Sequence, residues 1–223
     1  MALAIFDLDN TLIEGDSDYL WGQFLVKEGK VDAGYYAREN ARFYEEYRRG
    51  TLDIQEFLQF ALAPFSKIAR SSLEELRIRF MKEQIQLLPA ACTLIERHRT
   101  AGDRLLILTA SNRFIATPIA AAFGIETLIA TELEEKNGQY TGKVFGTPCF
   151  QVGKVIRLRE WMKEHNSTLT GSWFYTDSHN DFPLLEQVTH PVAVDPDRIL
   201  FDTAKKRSWQ IISLRSGQIP LAL

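Results

Sequence analysis

Apolar and polar positions fall into two regimes along this chain. Between residues 18 and 88 the apolar side chains recur at helical spacing: Leu20, Phe24 and Leu25, then Tyr36, Phe43, Tyr44 and Tyr47, then Ile54, Phe57, Leu58 and Leu62. Recurrence at i, i+3 and i+4 gathers each set on one helix face. Gly29, Gly34, Gly50 and Pro64 punctuate these stretches. Ser71-Ser72-x-x-Glu75 reads as a capping box ahead of Leu73, Leu76, Ile78 and Phe80. The pattern predicts four helices with no strand between them.

On either side of this block, short apolar runs take over. Residues 3–6, Leu-Ala-Ile-Phe, leave no polar face and suit a strand buried on both sides. From Pro89 the chain alternates. A helix over 89–100 opens on proline and stops before Gly102. Strand 104–108, helix 113–123 and strand 127–130 follow. Asn137-Gly138 predicts a hairpin pairing 131–136 with 139–145. Then come helix 152–164, strand 173–176, a short helix 181–187, strand 192–194, helix 198–206 and strand 210–212. Strands alternating with helices predict an α/β fold with a doubly wound, Rossmann-like parallel sheet. The all-helical block is an insertion after its first strand. The expected division is a core of 1–15 plus 89–223 and a helical cap of 16–88.

Composition narrows the function. Hydrophobic residues at 45% and charged residues at 25% are ordinary for a globular protein. A net charge of −3, with Lys and Arg scattered, offers no footprint for nucleic acid. An anionic substrate must therefore be drawn in locally, by a metal or a few fixed cations. No run approaches the ~18 apolar residues of a membrane span. Asp7 and Asp9 interrupt the first apolar stretch and no basic segment precedes it, so no secretion signal is read there. Cys92 and Cys149 stand far apart without CxxC spacing, which fits idle thiols and a cytoplasmic location.

Candidate chemistry sits where predicted strands end. Asp7 and Asp9 close the first strand, and in open parallel sheets that carboxyl edge is where ligands bind. Residues two apart in an extended segment point the same way, so both carboxylates can face one cavity, where their repulsion calls for a cation or a shared proton. An Asp-rich turn capping the next helix is the alternative. Thr109 closes the strand 104–108 and reads either as a phosphate-oxygen donor or as a helix N-cap. Lys154 opens helix 152–164, where a cation opposes the helix dipole; a neighbouring phosphate would explain it, and a solvated surface position is the alternative. Asp177-Ser178-His179-Asn180-Asp181 follows strand 173–176 with two carboxylates four apart, the oxygen-rich supply magnesium favours; His179 reads as a loop residue.

In this order the segments resemble the haloacid dehalogenase-like phosphohydrolase superfamily. Asp7-x-Asp9-x-Thr11 is similar to its first motif, Thr109 to its second, Lys154 to its third and Asp177-x-x-x-Asp181 to its fourth. The form of the fourth motif and the helical insertion resemble the phosphoserine-phosphatase-like branch with its C1-type cap. The resemblance implies a Mg²⁺-dependent phosphomonoesterase acting on a small phosphorylated metabolite. Asp7 would be the nucleophile and Asp9 the general acid and base. Asp7, the Asp9 carbonyl and Asp177 would hold the metal, and Thr109 and Lys154 would stabilise the phosphoryl oxygens. Asp181 would orient Asp177 or waters, and Asn180 would hold the loop or a phosphate oxygen.

The departures bear on the substrate. Asp16 stands where the phosphoserine phosphatases carry the carboxylate that binds the substrate amine. Counting from Gly50, Gln59 and Phe60 occupy the place of their carboxylate-gripping cap arginine, and Ala110-Ser111 replaces a glycine pair of the second motif. Asp16, Ser111 and Asn180 are thus the expected substrate contacts. A cap that accepts an amine without a carboxylate puts histidinol phosphate first among named substrates. Phosphoserine phosphatase and a catalytically retired phosphate-binding protein are the alternatives. The assembly is a monomer or homodimer, and the cap aromatics are expected to form mostly its own core.

Overall fold

The computed structural model describes residues 2–215. In chain order they form β1 (Leu3–Phe6), α1 (Ser17–Lys27), α2 (Ala33–Arg49), α3 (Ile54–Leu62), α4 (Arg70–Gln84), α5 (Pro89–Thr100), β2 (Arg104–Asn112), α6 (Arg113–Ala122), β3 (Leu128–Lys136), β4 (Gln139–Phe145), α7 (Val152–Glu164), β5 (Trp173–Thr176), α8 (Phe182–Leu185), β6 (His190–Val194), α9 (Arg198–Arg207) and β7 (Gln210–Ile212). Short 3₁₀ turns cover Ala63–Ser66 and His179–Asp181. The strand order is β4-β3-β2-β1-β5-β6-β7. All neighbours run parallel except β3 and β4. The expected core range also takes in residues 1 and 216–223, which lie outside the described residues.

Alternation along the strands divides the interior in two. Ala4 and Phe6 of β1, Ile107 of β2, Tyr175 of β5 and Val192 and Val194 of β6 face one apolar cluster. Their chain neighbours Leu3, Ile5, Leu106, Leu108, Phe174 and Ala193 face another, against α7, α8 and α9. This period-two split is what a sheet covered on both faces requires. The first cluster does not stop at α5 and α6. It runs on into Trp21, Phe24, Leu58, Leu62, Phe65 and Phe80 of the helical segment α1–α4. Trp21 lies edge-on to Phe80 and Phe114, and Phe65 edge-on to Phe114. Tyr36, Phe43 and Phe60 form a smaller cluster within α2 and α3.

Several boundaries depart from the sequence expectation for local reasons. β2 continues past Leu108 to Asn112, across an irregular register, and pairs Asn112 with Thr131. Thr131 Oγ1 donates to the Ala110 carbonyl at 2.7 Å and accepts from Cys149 N–H at 3.1 Å, so a side chain stands in where the ladder is broken. Strand 127–130 and the first hairpin arm fuse into β3. The turn at Asn137 and Gly138 keeps the expected left-handed backbone, φ 52° and 75°. The capping box is not formed. α4 begins at Arg70 after Ala69, which makes no side-chain cap, and Gln139 Oε1 of β4 accepts the Arg70 N–H at 3.1 Å. The short helix expected over 181–187 splits into the 3₁₀ turn and α8.

One polar network threads the first cluster. His98 of α5 is fully buried, with Nδ1 2.8 Å from Asp103 Oδ2 and Nε2 2.7 Å from the Tyr175 hydroxyl. The neutral ring satisfies both, donating to Asp103 from Nδ1 and accepting from Tyr175 at Nε2. Burial pushes the His98 pKa below its ordinary 6.5, against the pull of Asp103. As pH falls, the unfolded chain therefore takes up the proton first. The stability contributed by His98 is complete above the unfolded value and is lost below it. In urea titrations, His98→Gln should cost about 1–3 kcal/mol near pH 7.5. The gap to the wild type should narrow near pH 5.5, and a gap independent of pH would refute the assigned neutral state.

Candidate active site

The chain reverses its direction across the sheet at β1, whose neighbours are β2 and β5. Open α/β sheets bind ligands outside the carboxyl ends of strands at such a switch point. Asp7 follows β1 there and extends the ladder, its N–H donating to the Tyr175 carbonyl at 2.9 Å. Asp7 Oδ1 accepts from Lys154 Nζ at 2.8 Å, and the same ammonium donates to Asp181 Oδ2, also at 2.8 Å. Thr176 Oγ1 donates to that Asp181 oxygen at 2.7 Å. Asp7, Lys154 and Asp181 are only 4%, 3% and 2% exposed. Burial drives the Asp7 pKa up to about 7, with Lys154 opposing and Asp181 and Asp9 adding to the rise. Burial alone would favour a neutral Lys154 amine. The charges of Asp181 and Asp7 outweigh it and push the Lys154 pKa up. The cation at a helix N-terminus is thus explained by two buried carboxylates, and the solvated alternative is excluded.

α7 delivers Lys154 from an unusual start. Gln151 precedes the helix at φ 48°, ψ −117°, outside the regions L-residues favour. Gly153 leaves room for the Pro148 carbonyl oxygen, which a Cβ there would meet at 2.0 Å.

Asp9 is held differently. Its Oδ1 accepts the Ser17 N–H at 2.7 Å, and its Oδ2 accepts Ser111 Oγ at 2.6 Å and Thr109 Oγ1 at 3.3 Å. Because Ser111 donates to Asp9, Ser17 Oγ, 3.0 Å away, is the donor to Ser111. Thr109 is fully buried and also accepts the Ser111 N–H. It does not cap α6; that cap is Asn112, whose Oδ1 accepts the Ile115 N–H at 3.1 Å. Asp177 is anchored through Thr11, whose Oγ1 accepts the Asp177 N–H at 3.1 Å and donates to Asp177 Oδ1 at 3.3 Å. Burial raises the Asp177 pKa well above the usual range, and Asp7 and Asp181 raise it further. Asp181 makes its hydrogen bonds to Lys154 and Thr176. That corrects the Asp177 half of the expectation that it orients Asp177 or waters.

A cavity of about 50 Å³ lies between this edge and helices α1–α3. Asp7, Asp9, Lys154 and Asp181 line it on the sheet side together with Ser111 and Asn180, and Asp16, Tyr44 and Tyr47 on the helical side. Asp16 Oδ1 caps α1 by accepting the Tyr19 N–H at 2.8 Å, and burial plus the Asp9 charge lift its pKa to about 7. Asp18, absent from the sequence reading, also lines the cavity and accepts from Asn112 Nδ2 at 2.8 Å. Burial raises its pKa well above the usual range, with Asp16 and Asp9 adding to the rise. Its i, i+2 spacing from Asp16 was the available signal. Gln59 and Phe60 do not line this cavity; they face a separate one beside Tyr35 and Arg42. The counted register is therefore wrong, and Phe43, Leu52, Ile54 and Phe57 stand at the site instead. Among the described residues, no arginine lines it. Of the aromatics of α1 and α2, Trp21, Phe24 and Tyr36 are core, Tyr44 and Tyr47 line the cavity, and Tyr35 is exposed.

Asn180 ties the two sides together. Its Nδ2 donates to the Tyr47 carbonyl at 3.1 Å and its Oδ1 accepts from Gln151 Nε2 at 2.9 Å. Beside it, Gly50 ends α2 at φ 71°, and a Cβ there would meet His179 Nε2 at 2.6 Å. His179 is pinned by Asp197 Oδ2, 2.7 Å from its Nδ1.

The chain belongs to the haloacid dehalogenase-like hydrolase family, whose model matches residues 4–186. It is 44% identical over 219 residues to a histidinol-phosphatase of Neisseria meningitidis, covering 96% of this chain and 99% of that one. A crystal structure of a protein of unknown function from Bordetella pertussis matches with a TM-score of 0.89 and 40% identity, covering 96% and 98%. A phospho-aspartyl intermediate analogue of phosphoserine phosphatase shares the fold, with a TM-score of 0.72 at 18% identity over 96% and 93% of the two chains. Among the described residues, no helix is long and apolar enough to cross a membrane.

The double pairing of Lys154 carries a direct consequence for stability. Lys154→Met strands two buried carboxylates, and breaking a buried pair costs about 3–5 kcal/mol. Urea unfolding of the variant should show a loss of that size. A change below about 1 kcal/mol would mean that Lys154 and its partners are solvated.

Proposed function

We propose that the chain is a phosphomonoesterase that cleaves histidinol phosphate through an aspartyl-phosphate on Asp7. The observation that carries this reading is the ammonium of Lys154 on Asp7 Oδ1, beside an Asp9 carboxylate held by separate donors. Lys154 pulls Asp7 toward its charged form for attack, and the separate donors orient Asp9 for proton transfer. An Asp7 oxygen forms a bond to phosphorus as the ester C–O–P bond breaks, and Asp9 gives its proton to the leaving alkoxide. Asp9 then takes a proton from water, which attacks the aspartyl-phosphate and releases Asp7 and inorganic phosphate. Ser111 suits both states of Asp9, because a hydroxyl can donate to the carboxylate or accept from the acid. Lys154 offsets the repulsion between Asp7 and the incoming phosphate.

The donor set suits magnesium. Among the described residues, no three His, Cys, Asp or Glu side chains converge as a metal cage. Asp7 and Asp177 provide two carboxylates whose mutual repulsion a cation would relieve. The Asp9 carboxylate is engaged by Ser17, Thr109 and Ser111, so its backbone carbonyl would serve beside Asp7 and Asp177 in holding the ion. Magnesium commonly takes one or two carboxylates plus water and substrate phosphate. When bound it would supply charge neutralisation at the transferring phosphoryl group. Residues 16–88 act as the cap in this reading, Thr109 and Ser111 position Asp9, and Asn180 holds the cap closed. Asp16 faces the substrate ammonium, and among the described residues no arginine lines the cavity to meet a carboxylate, which favours histidinol phosphate over phosphoserine. The likeness to the histidinol-phosphatase points the same way.

Steady-state assays on the purified enzyme test this. kcat/KM for histidinol phosphate should exceed that for phosphoserine by about tenfold or more. Asp7→Asn should lower turnover more than about 10³-fold while leaving the thermal transition in place. Preference for phosphoserine would overturn the substrate, and an active Asp7→Asn would overturn the nucleophile.

Chelation examines the metal. EDTA should abolish phosphate release and magnesium should restore it. Calcium should restore little, since its looser coordination with more ligands would misplace Asp7. Full activity after exhaustive chelation would remove Asp177 from its role.

A further inference from the structure

The helical side of the cavity holds two carboxylates, and the proposed function uses one. Asp16 precedes α1 and Asp18 lies in its first turn. Both line the cavity, and among the described residues neither forms an ion pair. Lys154, among the described residues the one lysine at the cavity, already serves Asp7 and Asp181. The nearby arginines of α2 are taken up by glutamates: Arg42 by Glu39, Glu46 and Glu56, and Arg48 by Glu45. Among the described residues, therefore, none brings a free cation to this half of the site.

Asp18 is also deliberately aimed. Asn112 Oδ1 accepts the Ile115 N–H, a group that can only donate, so the amide orientation is decided and Nδ2 must point at Asp18. One Asp18 oxygen is thus spoken for by Asn112. Side chains two apart at a helix start do not face each other. Asp16 is held by the Tyr19 N–H and Asp18 by Asn112 Nδ2, so separate donors orient the two carboxylates and each keeps an acceptor oxygen for a ligand. The rings of Tyr44, Phe57 and Phe150 join the lining and give the cavity an aromatic wall.

We propose that Asp18, oriented by Asn112, is a specificity-determining residue that binds a second N–H-bearing group of the leaving alcohol. The substrate class is then a phosphate monoester whose alcohol carries an ammonium group and a separate N–H-bearing ring, and no carboxylate. Asp16 takes the ammonium and Asp18 the ring N–H, while the aromatic wall covers the ring faces. This rests on the reading that phosphoryl transfer to Asp7 occurs in the same cavity.

The test compares wild type with Asp18→Asn, whose amide oxygen can still accept from Asn112. The substrates are histidinol phosphate, with ammonium and ring; phosphoethanolamine, with ammonium alone; and para-nitrophenyl phosphate, with neither amine nor N–H ring. The kcat/KM ratio of histidinol phosphate to phosphoethanolamine should fall by about tenfold or more in the variant, chiefly through KM. An unchanged ratio, or an equal loss on all three substrates, overturns the proposal. A second measurement needs no variant: histidinol, ethanolamine and histidine are compared as competitive inhibitors of para-nitrophenyl phosphate hydrolysis. Histidinol should inhibit at about one-tenth or less of the concentration of the other two. Inhibition by ethanolamine as strong as by histidinol removes the ring subsite, and inhibition by histidine as strong removes the exclusion of carboxylates. A wild-type enzyme that hydrolyses none of the three substrates overturns the phosphomonoesterase reading itself, which separates that failure from the loss of this subsite alone.

Discussion

One ammonium shared by two buried carboxylates is the constraint around which the rest of this molecule is arranged. Lys154 Nζ sits 2.8 Å from both Asp7 and Asp181, with almost no solvent at any of the three. A lone ion so buried would neutralise rather than stay charged. Each partner therefore has to be delivered at hydrogen-bond distance. β1 brings Asp7 on the sheet's central strand, the 3₁₀ turn after β5 brings Asp181, and α7 brings Lys154 from across the second core cluster. The strained Gln151 and the tight approach at Gly153 are local costs of starting α7 where Lys154 can reach.

The polar site and the apolar core divide the work of holding α1–α4. At their base, Trp21, Phe24, Phe65 and Phe80 share a cluster with Phe114 of α6 and with β1. Near the Tyr47–Gly50 turn the attachment is more polar and smaller: a hydrogen bond from Asn180 to the Tyr47 carbonyl, another between the Tyr47 side chain and Ser178, a ring contact of Tyr47 with Phe150, and the close approach of Gly50 to His179. Apolar burial is the larger and less local of these two kinds of interaction. The helical segment is thus anchored at its root and only tethered at its tip, where it meets the fourth-motif loop. Loops and lids that move are drawn from such weakly held regions.

Much of this was readable in the chain, and for definite reasons. Strand ends are legible because apolar runs stop abruptly, so Asp7 and Asp177 could be placed on one edge of the sheet. Lys154 announced itself by opposing a helix dipole, although the charges that justify it lie 147 and 27 residues away. What could not be read was pairing at a distance. Asn112 looked like any loop residue, yet it caps α6 and holds Asp18, 94 residues earlier. Ser71 and Ser72 matched a capping box, but Gln139 of a distant strand reached the helix start first. The count from Gly50 to Gln59 and Phe60 failed because register along a helix cannot be transferred across a turn of unknown length.

The continuity of the core into α1 and α4 has a consequence for how this scaffold can change. A helical segment whose own interior is the underside of the sheet cannot be exchanged as a module, since a replacement would have to refill the space around Phe114 as well. The tip is under no such restriction. Tyr44, Leu52, Ile54 and Phe57 face the cavity from α2, α3 and the turn between them, and they lie outside the buried part of that shared cluster. New substrate preferences on this architecture are therefore most accessible through piecemeal replacement at the rim, with the foundation inherited whole.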